Sequence, residues 1–200
     1  RNCRPSWPDA RPVTQALPVT GLVERHIRVW LDDFVVGLNL CPFARPLLNA
    51  SNLRIAVCEA SDAAQLRIAF LQELDLLQRS TEQDIATTLL AFPHALRDFA
   101  DYLWFLDDAQ ELLREAGLEG VVQLASFHPQ YRFAGEAANA ASHYSNRAPY
   151  PLIHLLREDM LSRALAEDAD PHQIPDRNIE TLNSIGAEEL ERRWQALFSM

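Results

Sequence analysis

Residues 85–92 read Ile-Ala-Thr-Thr-Leu-Leu-Ala-Phe, and Pro93 follows them directly. The run is uncharged and rich in apolar and β-branched residues, which predicts a strand buried on both faces. Proline cannot continue the hydrogen bonding of a strand, so we expect this strand to end at Phe92. Residues 121–127 predict a second strand of the same kind.

Helical periodicity flanks these two strands. Apolar residues recur at helical spacing over 66–77 and again over 96–106, and further strands are predicted at 53–58 and 152–156. Alternation of strands and helices is typical of an α/β domain with parallel strands. We therefore predict an α/β fold over residues 20–200, a single domain with a small, mainly parallel sheet of about four strands flanked by helices. The right-handed crossover rule puts the two helices between the strands on one face, and the remaining helices must cover the other.

Residues 1–19 differ in composition from the rest of the chain. They contain Pro5, Pro8, Pro12 and Pro18 and no apolar core of the kind that a secretory signal needs. We interpret them as a leader that is disordered or not native to the protein.

The composition excludes several classes of function. The 200 residues include 28 acidic and 18 basic ones, every basic residue is arginine, and the formal net charge is −10. Without lysine there is no Schiff-base chemistry and no P-loop lysine. The acidic balance argues against a nucleic-acid partner, and no window is apolar enough for a membrane helix. Three scattered cysteines favour a reducing compartment, the cytoplasm.

The charge is unevenly distributed along the chain. Residues 34–58 contain Arg45 and Arg54 and no acid, while residues 121–157 contain three arginines against Glu136. These two segments also hold most of the irregular sequence. Arginine recognises carboxylates and phosphates through its planar fork, so we expect a cationic pocket for a small anionic molecule. The alternative is that these arginines only pair with acids elsewhere.

Two histidines follow predicted strands. His94 comes just after residues 85–92, and His128 directly follows residues 121–127. Parallel strands bind ligands at their carboxyl ends, so we expect both rings at one sheet edge as acid or base groups. Cys41, in the loop after the first helix, is a further catalytic candidate. Candidate substrate-binding residues in the long loop after His128 are Tyr131, Arg132, Asn146 and Arg147.

Each candidate has a structural alternative. Cys41 could be a packing residue, since it follows a helix C-terminus whose dipole does not favour a thiolate. The loop of residues 128–149 could be a rigid binding surface for a ligand or a protein. His94, His128 and Cys41 could instead hold a metal, although no HExxH or paired CxxC pattern is present. His154 alternates with leucines, which is typical of a core histidine.

Four segments carry a resemblance to a known family. They are Asn39-Leu40-Cys41-Pro42-Phe43-Ala44, residues 126–135 (Ser-Phe-His-Pro-Gln-Tyr-Arg-Phe-Ala-Gly), Asn146-Arg147-Ala148-Pro149-Tyr150-Pro151 and residues 174–182 (Ile-Pro-Asp-Arg-Asn-Ile-Glu-Thr-Leu). Together they resemble the bacterial DUF1415 family, over about residues 21–186. The resemblance implies a bacterial protein and brings no known role. The family typically has serine at position 148, so the alanine here implies that a hydroxyl at that position is not essential.

These observations favour a cytoplasmic enzyme that acts on a small anionic metabolite, by hydrolysis or group transfer, at a pocket lined by histidine and arginine. A non-catalytic ligand- or protein-binding module and a metal-binding protein are the alternatives. No GxGxxG follows a predicted strand, which argues against a nicotinamide site. The sequence specifies no cofactor and no oligomeric state.

Overall fold

A computed structural model describes residues 19–48, 50–167 and 170–199. The predicted leader lies outside these residues, except that Val19 begins the first helix. The helices are α1 (Val19–Trp30), α2 (Ala44–Leu48), α3 (Ala63–Arg79), α4 (Phe99–Glu115), α5 (Glu158–Glu167), α6 (Ile174–Ile185) and α7 (Ala187–Ala196). The strands are β1 (Leu53–Val57), β2 (Thr87–Ala91), β3 (Val122–Phe127) and β4 (Leu152–Arg157). A π-helical segment, Leu31–Val36, extends α1, and 3₁₀ turns occur at Ala141–Ser145 and Pro171–Gln173.

The four strands form one mixed sheet in the order β1-β2-β4-β3. The α/β class is confirmed, but the prediction of a mainly parallel sheet is wrong. β1 and β2 pair in parallel, whereas β4 is antiparallel to both of its neighbours. A parallel β3–β4 pair would need a crossover connection, usually a helix, but the only helical structure in residues 128–151 is the 3₁₀ turn. The chain therefore returns beside β3 in the opposite direction.

Helices cover both faces of the sheet, as predicted. α3 and α4 pack on one face through residues such as Phe70, Leu77 and Tyr102. The other face carries α1, the π-helical segment, α6 and α7, with Trp30 and Leu182 in its core. Polar groups of the sheet therefore lie between two apolar layers.

The π-helical segment depends on a glycine. A Cβ on Gly37 would lie 2.4 Å from the carbonyl oxygen of Asp33, so no other residue fits without a backbone shift. Asn39 then takes a left-handed conformation (φ 54°), which asparagine tolerates better than most residues. This tight turn delivers Cys41 to the face of the sheet that α1 covers. π-Helical turns occur frequently at functional sites.

Candidate functional site

His128 lies at the carboxyl edge of the sheet, but its side chain points into the interior of the protein. Its Nε2 is 2.9 Å from the carbonyl oxygen of Leu96, and its Nδ1 accepts a hydrogen bond from the backbone N–H of Gln130. The ring is fully buried against Phe99 and Tyr102, and burial lowers its pKa below the ordinary value. Both nitrogens are therefore engaged by backbone atoms.

His94 lies on the surface of the same edge. β2 and β3 point in the same direction, as the sequence analysis assumed, and His94 follows β2 in an exposed position. Among the described residues, no hydrogen bond and no ring stacking joins the His94 ring to His128. The catalytic role predicted for this pair remains a prediction without geometric support.

Two of the residues predicted to bind an anion are in contact, because Nε of Arg147 donates to the backbone carbonyl oxygen of Tyr131 at 3.5 Å. Arg132 is exposed, while the guanidinium of Arg147 lies 4.5 Å above the ring of Tyr144. The Tyr131 hydroxyl is 3.3 Å from the hydroxyl of Ser126. These contacts tie the long loop to itself and to β3.

Asn146 is also part of this internal framework. Its side-chain amide donates to the carbonyl oxygen of Ser126, and its own carbonyl oxygen accepts from the backbone N–H of His128. Ser145 donates to the amide oxygen of Asn146. Asn146 nevertheless also lines a cleft, which is described below.

A cavity of about 200 Å³ lies between the sheet and the helices on the α1 face. We call it the inner cavity. Its walls come from the end of α1 and the π-helical segment, from α2, from α5 and from all four strands, with residues such as Trp30, Leu47, Leu89, Ala125, Met160 and Ala164. For comparison, an engineered apolar cavity of about 150 Å³ can hold benzene. The inner cavity is thus large enough for a small organic molecule.

The inner cavity contains few polar side chains. His154 faces it from β4, and its Nε2 is 2.6 Å from the Thr87 hydroxyl oxygen, which in turn lies 2.8 Å from the carbonyl oxygen of Leu155. Burial lowers the pKa of His154 to about 4, so the ring is neutral at pH 7. Trp30 also lines the cavity, and its indole N–H is buried with no hydrogen-bond partner among the described residues.

A second, wider space of about 530 Å³ adjoins the inner cavity. We call it the outer cleft. Val35, Cys41 and Phe127 line both spaces and form the wall they share. The outer cleft is more polar, because Glu136, Ser142, Asn146 and Asn178 also line it. The hydroxyl of Ser142 is buried and has no partner in the described part of the chain.

Cys41 lies at the junction of the two spaces. Burial raises the pKa of its thiol, an effect larger than the opposite one of the Phe43 and Ala44 backbone amides. The thiol is therefore protonated near neutral pH and is a poor nucleophile. Its place in the wall is compatible with contact to a ligand rather than with attack on one.

The metal-site alternative requires at least three ligand side chains that lie together. No group of three or more His, Cys, Asp or Glu side chains within the described ranges is arranged to hold a metal ion. His94, His128 and Cys41, all of which the structure describes, therefore do not form such a group. Over the same residues, no helix is long and apolar enough to span a membrane.

The family model described as "Protein of unknown function (DUF1415)" matches residues 22–192. The chain belongs to the DUF1415 family. No curated protein and no solved structure matches it.

The four segments that carry the DUF1415 resemblance meet at the outer cleft. Cys41 comes from the first segment, Phe127 and Phe133 from the second, Asn146 from the third and Asn178 from the fourth. Asn178 also donates a hydrogen bond to the carbonyl oxygen of Leu40, which ties α6 to the loop that carries Cys41. In this DUF1415 protein all four distinctive segments thus contribute residues to the outer cleft.

Sequence reasoning identified part of this site and missed its interior. It selected Cys41 and Asn146, which line the cleft, but assigned His154 to the core and did not select Trp30. Ser142 was not selected. The signals were weak: a tryptophan at a helix end, a histidine among leucines and a serine in an irregular loop are all common in cores. Only the packing of distant elements shows that they border empty space.

Proposed function

We propose that this DUF1415 protein binds a small, mainly apolar molecule in the inner cavity. The observation that carries this proposal is the cavity of about 200 Å³, which is walled almost wholly by apolar side chains. We place the entrance for the molecule at the outer cleft, which shares Val35, Cys41 and Phe127 with the inner cavity.

The proposal corresponds to the ligand-binding alternative of the sequence analysis. An enzyme that acts on a small anionic metabolite by hydrolysis or group transfer is the competing proposal. It would need cationic groups at the cavity, but none of the described residues lining either space is an arginine. Burial of an unpaired anion is costly, so the geometry favours an uncharged ligand.

We expect the protein to act in the bacterial cytoplasm. Cys41 and Cys58 are both free thiols, and free thiols persist in reducing compartments. The net charge of −10 makes nucleic acid an unfavourable partner.

Thermal unfolding with propylbenzene as a probe tests the proposal. A ligand present at about ten times its dissociation constant should raise the melting temperature of a chain of this size by about 3–6 °C. Mass spectrometry of an organic extract of the purified protein should also reveal a bound compound. If no extracted compound is found and propylbenzene produces no shift, the proposal is wrong.

Two matched variants on α5 localise the binding. Ala164 lines the inner cavity, whereas Ala166 on the same helix is exposed. Ala164→Phe should fill the space and abolish the shift, while Ala166→Phe should leave it unchanged. Equal shifts in both variants would place the bound molecule elsewhere.

A further inference from the structure

The outer cleft differs from the inner cavity in its charge. Among the described residues that line the cleft, Glu136 is the only one with a charged side chain. Glu136 is exposed, and it forms no ion pair with any described residue, including Arg132 of the same loop. The cleft therefore carries a carboxylate without a cationic partner in the described part of the chain.

The amide oxygen of Asn178 adds an uncharged acceptor to this cleft. The amide nitrogen of Asn178 donates to the carbonyl oxygen of Leu40, while the amide oxygen accepts no hydrogen bond from the described residues and is not buried. Asn146, in contrast, uses both ends of its amide within the protein, on Ser126 and Ser145. Glu136 and Asn178 therefore both offer acceptors to a ligand.

The shared wall determines how a ligand is divided between the two spaces. Val35, Cys41 and Phe127 border both, so a molecule that extends past this wall has one part in each space. The part in the inner cavity must be uncharged, because a charge there has no partner. A cation in the outer cleft instead meets Glu136 and keeps part of its hydration, since that side chain is exposed.

We infer that the ligand is an amphiphilic amine whose apolar body lies in the inner cavity and whose protonated amino group lies in the outer cleft beside Glu136, an inference that rests on the proposed function. An ammonium group donates hydrogen bonds and accepts none, which matches a carboxylate and an amide oxygen. A carboxylate end would be repelled by Glu136, because no arginine lines the described part of the cleft. An alcohol gains hydrogen bonds but no ionic attraction.

Phenylalkyl compounds with different end groups test this inference. 3-Phenylpropylamine and 5-phenylpentylamine are compared with the alcohols and the carboxylates of the same length, by titration calorimetry at low ionic strength. For at least one length, the amine should bind about threefold to tenfold more tightly than the alcohol, and the carboxylate should bind most weakly. Added salt should reduce the advantage of the amine, because it screens the attraction between exposed charges.

Two pairs of variants locate the two ends of the ligand. Glu136→Gln keeps the shape of the side chain and removes its charge, so the amine should lose its advantage while the alcohol binds as before. Glu115→Gln, at an exposed position of α4 on the opposite face of the sheet, changes the net charge equally and should leave the amine affinity unchanged. Ala164→Phe should abolish binding of the amine, whereas Ala166→Phe should retain it.

The possible outcomes separate this inference from the proposed function. If amines and alcohols bind equally well and Glu136→Gln changes neither, the amine inference fails while the proposed function stands. The inference is also overturned if a carboxylate binds most tightly, or if Glu115→Gln weakens the amine as much as Glu136→Gln does. Amine binding that survives Ala164→Phe would put the apolar body outside the inner cavity and overturn it as well. If neither these compounds nor propylbenzene binds, the proposed function fails with it.

Discussion

At the scale of single residues, the His128 ring stabilises two turns of the backbone through its hydrogen bonds. Leu96 has a left-handed conformation (φ 56°), which is unfavourable for leucine, and the His128 ring bonds to the carbonyl of that residue. The same ring accepts from Gln130 on the other side. The ring therefore joins the turn after β2 to the turn after β3.

We expect His128→Ala to destabilise the protein. The substitution leaves a backbone N–H and a carbonyl without partners and opens a space, so the free energy of unfolding should fall by about 2–4 kcal/mol. His94→Ala, at an exposed site, should change it by less than about 0.5 kcal/mol. Urea unfolding measures both values. A stable His128→Ala protein would show that the ring is available for another role.

His154 should make stability depend on pH. Its pKa is about 4 in the folded state, below the ordinary value of 6.5, so the unfolded chain binds the proton more readily. The stabilisation is complete above pH 6.5 and is lost as the pH falls towards 4, by up to about 3 kcal/mol. His154→Gln should flatten this part of the curve, whereas His94→Gln should retain it. Identical curves of stability against pH for the two variants would contradict the assignment of this pH dependence to His154.

The sequence alone could predict which residues lie near the site but not the direction in which their side chains point. It correctly expected that His94 and His128 follow strands of the same direction. Side-chain orientation depends on tertiary packing, and the aromatic residues of α4 provide a buried niche for the His128 ring. The inner cavity was beyond prediction, because its lining residues, such as Ala125 and Ala164, come from elements that are far apart in the sequence.

At the scale of secondary-structure elements, Arg157 joins β4 to the end of α3. Its guanidinium donates to the carbonyl oxygens of Leu77, Ser80 and Ile85. Cations are favourable at helix C-termini, where carbonyl groups lack intrahelical partners. One side chain therefore fixes a helix end against β4 and the segment that leads into β2.

Lysine at position 157 should not make the same set of hydrogen bonds as arginine. Arg157→Lys keeps the charge but loses the planar fork that reaches several carbonyl groups, and we expect a loss of about 1–3 kcal/mol in chemical denaturation. Arg163→Lys is the control, since Arg163 forms an exposed ion pair with Glu82 and should change stability by less than about 1 kcal/mol. Equal losses in the two variants would refute the capping role.

The direction of β4 was the element-scale feature that the sequence did not reveal. Leu152–Arg157 has the apolar character of an interior strand, and such a run is compatible with either direction. The absence of a helical pattern between His128 and Pro149 was the available signal. A long irregular connection without a crossover helix favours an antiparallel return.

At the scale of the whole molecule, one sheet separates two cores. Leu77 belongs to the core on the α3–α4 face, and Leu182 belongs to the core on the α1 face. Both are fully buried, and both cores use residues of β2 and β4. The predicted single domain should therefore unfold as one unit.

Leu77→Ala and Leu182→Ala test this cooperativity. Each should lower the free energy of unfolding by about 2–5 kcal/mol and shift one common transition, seen alike by circular dichroism and by tryptophan fluorescence. Leu103→Ala, at an exposed position, should have little effect. Two separate transitions in either core variant would show that the faces unfold independently.

The place of β4 also has a consequence for how the chain is made. The strand comes last in the sequence, yet it fills the gap between β2 and β3. During synthesis, β2 and β3 each keep an edge with unpaired backbone groups until residues 152–157 leave the ribosome. Sheet closure is then a late, long-range step, which slows folding and prolongs exposure to aggregation. The same strand that carries His154 to the cavity wall is thus the last one needed to close the sheet.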